Sequence, residues 1–592
     1  MIEQLLISVM LIAPLAGWLL AEGLPHQRNS ALLIPTTITG IAALSWMGCS
    51  YAGVTETAAQ ISVGNWMVIP DGNGLAINLA FYADQSRCML TLAASLILLL
   101  RIVRNSCAAN DVEATVPLLY PLSIAAIMVT DLVVIASLWG VIDCCVVGIV
   151  ARETASTTPS RRRLNTTRIL SGSAVLLLLA SLMAMARYDS SVVSEIVAGA
   201  AEDRRIDGTT VASGLSVLIV AAVTIRCAFF PALIWPRSVL ESGSRDAGIV
   251  VVLAGILPGL SLAAALAPLG AVASEAFLLF GMLGVLTSFT ATGVALVQNG
   301  IAKVATLLSI GAAGLSAVGV ATSSSALSCI TIGTLFVQLI GIFVLRRCSE
   351  LANRGTAFGV AILVAVSGIG GTNRILSLIE FSLAETEKNG SGDSTSHLLV
   401  YMWWGIVVSQ ILWGFAVVKL ATIQPPMQAL RTISATDSRL GNFVATTAAC
   451  LALIRCMIPL SNAQPGLPVL LLTFGAATPA CLLGAVAAWL LAKSSDVARG
   501  KVVDSLDSLT RLSREWFYIE DAIHYGIRLP VRGLALLADV CDRRVLGGRP
   551  EEAWEHVPTR IADPFEYLRT QPATYYGLTG TLLVVGLLWA LA

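Results

Sequence analysis

Apolar segments of about twenty residues recur along almost the whole chain, and they constrain its fold more than any other feature. A helix that crosses the hydrocarbon core of a bilayer needs about 20 mostly apolar residues. About sixteen segments satisfy this length rule. The sequence therefore predicts an all-α polytopic membrane protein. We place the spans near 3–21, 30–49, 86–104, 114–130, 132–151, 168–187, 212–235, 246–267, 271–297, 301–321, 326–346, 356–380, 398–419, 441–462, 467–493 and 573–592.

The composition agrees with a membrane protein. Hydrophobic residues make up 56% of the 592 residues, and charged residues make up 12%. A soluble domain has about 25% charged residues. The formal net charge is zero, so we expect no nucleic-acid partner. The first apolar run follows Glu3 without a basic region, which favours a membrane helix over a cleaved signal peptide.

The sequence contains no pattern typical of a metal or cofactor site. The twelve cysteines include no CxxC pair, and the four histidines do not cluster. Structural zinc and iron–sulfur sites need such spacing. The glycine-rich stretch GIGGTNR at 368–374 follows a predicted membrane helix and not a strand, which argues against a nucleotide-binding loop. We expect no metal, no cofactor, no direct nucleotide binding and no catalytic site within the chain itself.

The distribution of lysine and arginine predicts the orientation in the membrane. If the N-terminus lies outside, most basic residues fall in inside loops, including the run at 161–163. The outside loops then hold chiefly Arg204, Arg205 and Lys388, and the loop at 381–397 is acidic. This pattern predicts that both termini lie outside.

Two segments do not fit a plain bundle of spanning helices. Residues 55–85 alternate polar and apolar positions around the turn sequence PDGNG, which predicts an external β-hairpin. Residues 494–572 carry many charges, with apolar residues between them at roughly helical spacing. We interpret this segment either as a long amphipathic helix lying laterally along the membrane or as a set of short surface helices.

Several motifs occur in an order typical of one family. They are GLAINLAFYADQSRCML at 74–90, VTDLVVIASLWG at 129–140, AFFPALIWPRSVLES at 228–242, GVALVQNGIAKVATLLSIGAAG at 293–314, REWFYIEDAIHYGIRLPVRGLA at 514–535 and LRTQPATYYGLTG at 568–580. Together they resemble the NuoL type of subunit, the distal antiporter-like and proton-conducting membrane subunit of respiratory complex I, an NADH:quinone oxidoreductase. Each motif alone is weak, and their order, spacing and topology carry the resemblance.

This resemblance implies inverted repeats that meet around broken helices. Pro231 and Pro236 fit a broken seventh helix, and the glycines at 368–371 fit a broken twelfth. It also implies a bacterial cytoplasmic (inner) membrane location, with the lipid bilayer and other membrane-arm subunits as partners. The expected regions are N-terminal helices with the hairpin (1–113), first antiporter-like repeat (114–267), second repeat (268–440), C-terminal core helices (441–493), lateral segment (494–572) and final span (573–592).

The polar axis of the family is incomplete in this sequence. The family pairs a buried glutamate in its fifth helix with a lysine in its seventh. The corresponding positions here are Gly140 and Arg226, and an eighth-helix histidine corresponds to Val251. Asp143 lies three residues after Gly140 and could replace the missing carboxylate as the partner of Arg226. Because arginine does not release its proton in proteins, that pair would be a fixed ion pair.

The other candidate residues of the proton path each have two interpretations. Lys303 is either a proton carrier or an interfacial lysine, and Asp131 is either a helix-end acid or a channel residue. Arg374 could reach the interface or cap carbonyls of a broken helix, and Glu241 matches a family position. The full candidate set is Asp143, Arg226, Lys303, Arg374, Glu241 and Asp131.

Three functional hypotheses follow. The chain is a membrane-arm subunit of a complex I-like assembly that contributes to proton translocation, or a structural relative in which the polar axis has decayed. Alternatively, it is the membrane subunit of a non-redox ion-coupled transporter, such as a cation/proton antiporter or an inorganic-carbon uptake system. In every case the redox chemistry of the assembly, if present, belongs to other subunits.

Overall fold

The computed structural model describes most of the first 422 residues. All the described residues fall in the first of two compact units, 1–499, and the second unit comprises 500–592. The spans predicted at 441–462 and 573–592, the lateral segment and Arg374 therefore lie outside the described residues, as do almost all of 356–380 and 467–493. The described ranges are 2–24, 27–51, 58–68, 76–105, 115–153, 159–206, 210–242, 244, 246–271, 273–298, 300–321, 325–350, 393–422, the single positions 357, 361, 379 and 481, and 483–486.

The described part of the chain is almost entirely helical. In chain order its helices are α1 (Ile2–Gly23), α2 (Arg28–Tyr51), α3 (Gln85–Asn105), α4 (Val116–Met128), α5 (Leu132–Glu153), α6 (Pro159–Tyr188), α7 (Val193–Ile206), α8 (Thr210–Arg226), α9 (Ile234–Glu241), α10 (Ala247–Val251), α11 (Leu257–Leu266), α12 (Ser274–Val297), α13 (Ile301–Ala321), α14 (Ser325–Glu350) and α15 (Asp393–Thr422). A π-helical turn, Val252–Ile256, joins α10 to α11, and a 3₁₀ turn, Ala267–Ala271, follows α11.

Ten helical segments within the described ranges are long and apolar enough to cross a bilayer. Two shorter apolar helices, Val116–Met128 and Ser213–Arg226, accompany them. The predicted class, an all-α polytopic membrane protein, is confirmed. Several predicted bounds are close to the observed ones: the span expected at 301–321 is α13, and the span expected at 132–151 is α5.

The sequence analysis did not predict α7, a helix of 14 residues. Its Ile196 and Ala200 are buried, whereas Glu195 and Glu202 on the same helix are exposed. A short helix with charges on one face has no 20-residue apolar window, so a search for spans does not detect it.

The hairpin predicted around PDGNG is present as strands β1 (Ala58–Val68) and β2 (Ala76–Asp84), which pair antiparallel. The linker between α4 and α5 extends this small sheet. The Thr130 N–H donates to the Ala80 carbonyl at 3.3 Å, and the Val193 N–H donates to the Thr130 carbonyl at 3.0 Å. The Leu132 N–H donates to the Ser191 carbonyl at 2.9 Å. Residues 129–131 are therefore held like a strand between the hairpin and the start of α7.

A buried arginine fixes the hairpin to the helices. The Arg87 guanidinium donates to the carbonyl of Met128, the last residue of α4, at 3.0 Å, and lies 5.0 Å from the centre of the Tyr82 ring. The Arg87 N–H donates to the Asp84 carboxylate at 2.7 Å, which caps the start of α3. Burial, together with the charge of Asp84, raises the pKa of the Tyr82 phenol above its usual 10.

Helices α12 and α13 approach each other closely at two glycines. A Cβ added to Gly284 in α12 would clash with the Gly314 carbonyl of α13, and a Cβ at Gly314 would clash with the Gly284 carbonyl. The two backbones therefore approach each other at a pair of facing glycines. Small residues allow this close packing between membrane helices, where water provides no driving force for association.

Candidate functional site

A buried ion pair links α5 to the end of α8. The Arg226 guanidinium donates through Nη1 to the Asp143 carboxylate. Arg226 is completely buried and Asp143 is 6% exposed. The guanidinium carbon lies 5.0 Å from the centre of the Trp139 ring, which adds a cation–π contact. The structure thus brings together the two residues that the sequence proposed as a displaced pair.

Helix geometry explains why Asp143 faces this site and Gly140 does not. The side chains of Trp139, Ile142 and Val146 on α5 are all fully buried, and Asp143 lies on the same face. Gly140 lies at the margin of this face, and a Cβ built on it would meet no atom within 4 Å. The carboxylate that contacts Arg226 is therefore presented one turn along the helix from the position expected from the resemblance.

A broken helix positions Arg226. The α8 helix ends at Arg226, and the chain turns through Ala228, which has a φ of 62°, before α9 begins at Ile234. The Phe230 N–H, beside a cis peptide bond to Pro231, donates to the Thr287 hydroxyl of α12 at 2.8 Å. The break expected around Pro231 and Pro236 is present, and it is hydrogen-bonded to α12.

Two glycines make room for the end of α8. A Cβ at Gly255, in the π-helical turn, would lie 2.6 Å from the Arg226 carbonyl oxygen, and one at Gly259 would clash with the Cys227 sulfur. In the same π-helical turn, the Leu253 carbonyl accepts a hydrogen bond from the Ser123 hydroxyl of α4 at 2.8 Å. Single π-helical turns are frequent at functional sites because they displace residues from the regular helical register. Here the turn lies directly against the residue that carries the buried charge.

The pair leaves polar atoms that find no hydrogen-bond partner among the described residues. These are Arg226 Nε and Nη2, Asp143 Oδ2 and Trp139 Nε1. Because arginine stays protonated, the guanidinium is a permanent charge, and the carboxylate is its counter-ion. The arrangement can hold charge and orient polar groups around it. Proton storage on the guanidinium itself is excluded by its chemistry.

Asp131 lies at the start of α5 and acts as its cap. Its carboxylate accepts hydrogen bonds from the N–H groups of Val133 at 2.8 Å and Val134 at 3.2 Å, and from the Ser191 hydroxyl at 2.6 Å. These contacts satisfy free N–H groups of the first helical turn. This geometry is that of a helix-end acid. Of the two interpretations of Asp131 given above, it favours the helix cap over the channel residue.

Of the remaining candidates, Arg374 lies outside the described residues, and Glu241 and Lys303 are on other helices than the buried pair. Glu241 accepts a hydrogen bond from Arg237 at 2.9 Å, one turn earlier in α9, and both side chains are partly exposed. Lys303 is in the first turn of α13 and is also partly exposed. Of the six candidate residues, Asp143 and Arg226 are the two that the described structure brings into contact with each other.

A second buried ion pair was missed by the sequence analysis. Arg101, near the end of α3, pairs with Asp246, which precedes α10, and both side chains are buried. The sequence analysis considered Arg101 only among the inside-facing basic residues. The only local sign of this pair is a single acid at position 246, between Arg245 and an apolar segment. That sign does not identify a partner 145 residues away.

Lys419 forms a contact between two helices that the sequence analysis did not predict. It lies near the end of α15, and its ammonium group donates to the carbonyls of Leu296 and Gln298, the latter at 2.7 Å. These carbonyls belong to the C-terminal end of α12. A cation at a helix C-terminus satisfies free carbonyls and interacts favourably with the helix dipole. Lys419 therefore links α15 to the C-terminal end of α12.

Within the described ranges, no cluster of three or more histidine, cysteine, aspartate or glutamate side chains has the geometry to hold a metal ion. The buried polar groups of the described site are the ion pair, its aromatic neighbour and hydroxyl groups. Such a set can bind ions or water.

The sequence matches no family model and no curated protein. Solved structures with similar chains include the following three. One, from the structure of the Mrp complex from Dietzia sp. DQ12-45-1b, has a TM-score of 0.60 at 14% identity over 92% of this chain. This chain spans 63% of the length of that one.

A chain of the membrane-bound sulfane sulfur reductase (MBS), an archaeal respiratory membrane complex, has a TM-score of 0.55 at 15% identity and covers 82% of this chain and 98% of its own. A chain of respiratory complex I from Thermus thermophilus, with bound NADH, has a TM-score of 0.46 at 16% identity, covering 87% and 99% respectively. The likeness to the first two of these chains is one of fold alone.

Proposed function

We propose that this chain is an antiporter-like membrane subunit of a complex I-like NADH:quinone oxidoreductase, contributing to proton translocation by way of the Asp143–Arg226 pair. The observation that carries this proposal is the buried ion pair at a helix break inside a polytopic membrane fold. Ionisable groups inside a membrane are costly and usually functional. Broken helices are the usual place for ion sites in such folds.

The chemistry of the pair limits its role. A lysine at the end of α8 could alternate between charged and neutral states, whereas Arg226 remains charged. The titrating group of the pair is then Asp143, whose second oxygen has no partner among the described residues. In this proposal Arg226 stabilises the carboxylate, and the proton moves over Asp143 and polar groups nearby. Structural coupling to neighbouring subunits is the remaining contribution if Asp143 stays ionised throughout.

The partners in this proposal are other membrane-arm subunits and the lipid bilayer. The redox chemistry would be carried out elsewhere in the assembly. The proposed location is the bacterial cytoplasmic membrane, with both termini outside, as the distribution of basic residues indicates. The proposed repeats, 114–267 and 268–440, place the ion pair in the first repeat.

A second function is favoured by the likeness, at a TM-score of 0.60, to a chain of the Mrp complex. In that alternative the chain is a membrane subunit of a non-redox ion-coupled transporter. The two proposals share the ion pair and differ in the partner proteins. The choice between them therefore depends on the assembly and not on the site.

The test is purification of the tagged full-length chain from its native membrane in mild detergent, followed by mass spectrometry of the proteins that co-purify. We expect NADH dehydrogenase or related redox subunits in stoichiometric amounts, and none of them in a parallel preparation from an untagged strain. Recovery of ion-transporter subunits or of one large soluble protein, without redox subunits, would overturn the complex I-like assignment and support the transporter.

A further inference from the structure

The segment that follows α8 is hydrogen-bonded back onto the last turn of that helix. The Cys227 N–H donates to the Val223 carbonyl at 2.8 Å, and the Phe229 N–H donates to the Thr224 carbonyl at 2.9 Å. Arg226 lies inside this bonded stretch, between the residues that donate and the residues that accept. A displacement of the segment therefore moves the backbone of Arg226 with it.

One hydroxyl group of α12 holds this segment from outside α8. Thr287 is fully buried, and its hydroxyl oxygen accepts the Phe230 N–H at 2.8 Å. The same hydroxyl donates its proton to the Leu283 carbonyl of its own helix at 2.6 Å. A hydroxyl has one proton to donate and two lone pairs to accept with, so both bonds can exist together. Thr287 thus donates within α12 and accepts from the helix break.

A ring contact joins the same two parts of the protein. Phe229, in the segment after α8, and Phe280 of α12 are both buried, and their ring centres lie 5.6 Å apart. Aromatic rings at this distance attract each other beyond the burial of their area. Phe280 precedes Thr287 by about two helical turns, so the two contacts lie on one face of α12. The α12 helix therefore holds the break at two places.

Other threonines of α12 bond within their own helix. The Thr292 hydroxyl, which is also fully buried, donates to the Ser288 carbonyl at 2.5 Å. The hydroxyl of Thr290 donates to the Leu286 carbonyl at 2.8 Å. Thr287 differs from these two, because its hydroxyl also accepts a backbone N–H from another part of the chain. Inside a membrane protein such an N–H depends on a protein acceptor, since bulk water does not reach it.

We propose that Thr287 is a positioning residue for the Asp143–Arg226 pair, which it affects by holding the break after α8. The Arg226 side chain contacts Asp143 on α5, whereas its backbone is fixed to α12 through Phe230. The geometry of the pair then depends on three helices, although its two charges lie on α5 and α8. The proposal concerns this geometry and not proton movement, so it and the proposed function can fail separately.

The test is a double-mutant cycle between Thr287 and Asp143, measured as melting temperatures of the purified full-length protein in one detergent. Thr287→Val removes the hydroxyl and keeps the branched side chain. We expect the fall in melting temperature caused by Asp143→Asn to be at least halved in the Thr287→Val background, because Arg226 has already moved from its partner there. Substitutions at separate sites without shared partners have additive effects. An Asp143→Asn effect of equal size in both backgrounds would overturn the proposal.

Two control variants separate positioning from a general loss of stability. Thr292→Val removes an equally buried hydroxyl from α12, and Thr287→Ser keeps the hydroxyl at the proposed position. Both should leave the Asp143→Asn effect at its full size, and a halved effect in either background would contradict the proposal. If Thr287→Val cannot be purified, Thr287→Cys takes its place in the cycle, because a thiol is a weak acceptor. The expected and the contradicting results are then the same.

Discussion

The guanidinium of Arg226 and the carboxylate of Asp143, 83 residues apart in the sequence, form a hydrogen-bonded ion pair in the interior of the protein. Neither charge is free to reorganise in water, so each depends on the other for its solvation. The pair therefore affects both the stability of the fold and the ability of Asp143 to take up or release a proton.

Breaking the pair should destabilise the protein more than removing it. We expect Asp143→Asn to lower the free energy of unfolding by about 3–5 kcal/mol, because it leaves the Arg226 charge buried without a counter-ion. The double variant Asp143→Asn with Arg226→Gln should recover part of this loss. Unfolding in detergent, followed by circular dichroism, measures both. The single variant Arg226→Gln is measured as well. If the double variant loses as much stability as Asp143→Asn and Arg226→Gln lose together, the two side chains do not interact.

Replacing the permanent charge by a titratable one should change ion movement. In proteoliposomes, Arg226→Lys should raise the proton flux several-fold, because a buried lysine can lose its proton whereas arginine cannot. The matched control is Arg101→Lys, the same change in the other buried pair, which should leave the flux unaltered. Equal flux in the unsubstituted protein and both variants would show that a titratable group at position 226 does not contribute to proton movement.

A glutamate at position 140 should not restore a working pair. Gly140 lies at the margin of the buried face of α5, where an added Cβ meets no atom within 4 Å, and it is near the middle of the span. A charged residue at the centre of a membrane helix costs about 2.5–3.5 kcal/mol of insertion free energy. We expect Gly140→Glu to reduce the amount of inserted protein without raising the flux. Gly140→Ala, assayed in the same membranes, should insert normally.

The facing glycines of α12 and α13 should not tolerate a methyl group. We expect Gly284→Ala and Gly314→Ala each to lower the free energy of unfolding by about 1–3 kcal/mol, because the added Cβ meets a carbonyl oxygen of the other helix. Gly148→Ala, where a Cβ would meet nothing within 4 Å, is the control and should be close to neutral. Thermal unfolding of the three variants in one detergent makes the comparison.

The cap of α5 provides a further measurable contribution. Asp131→Ala should lower the free energy of unfolding by about 0.5–2 kcal/mol, because two N–H groups of the first helical turn lose their acceptor. Ser137→Ala removes a hydroxyl from the exposed side of the same helix and should have little effect. If Asp131→Ala left stability unchanged but altered the proton flux, the channel interpretation of this residue would be favoured over the cap.

Local patterns in the sequence predicted a large part of the described fold. The apolar windows located α5 and α13 to within a few residues, and the PDGNG turn located the hairpin. Helical spacing placed Asp143 one turn from Gly140, and Pro231 marked the broken helix. In each case the feature is encoded within about 20 neighbouring residues, the length over which periodicity and turn residues are informative.

The remaining features depend on contacts between distant segments. The Arg101–Asp246 pair, the Lys419 cap on α12 and the facing glycines of α12 and α13 are contacts made when separate helices pack together. An arginine at the end of an apolar segment has the same local sequence whether it lies in water or pairs inside the protein. The Phe230–Thr287 hydrogen bond was missed for the same reason, since a single threonine in an apolar helix gives no periodic signal.

The linker at 129–131 gives α5 one fixed end. Its backbone is bonded to the hairpin on one edge and to the segment before α7 on the other, and Asp131 closes the first turn of the helix. Asp143 lies twelve residues further on, about 18 Å along the axis. The N-terminal end of α5 is thus held in place by these hydrogen bonds. Any displacement of α5 that changes the distance between Asp143 and Arg226 must pivot about that end or break the bonds that hold it.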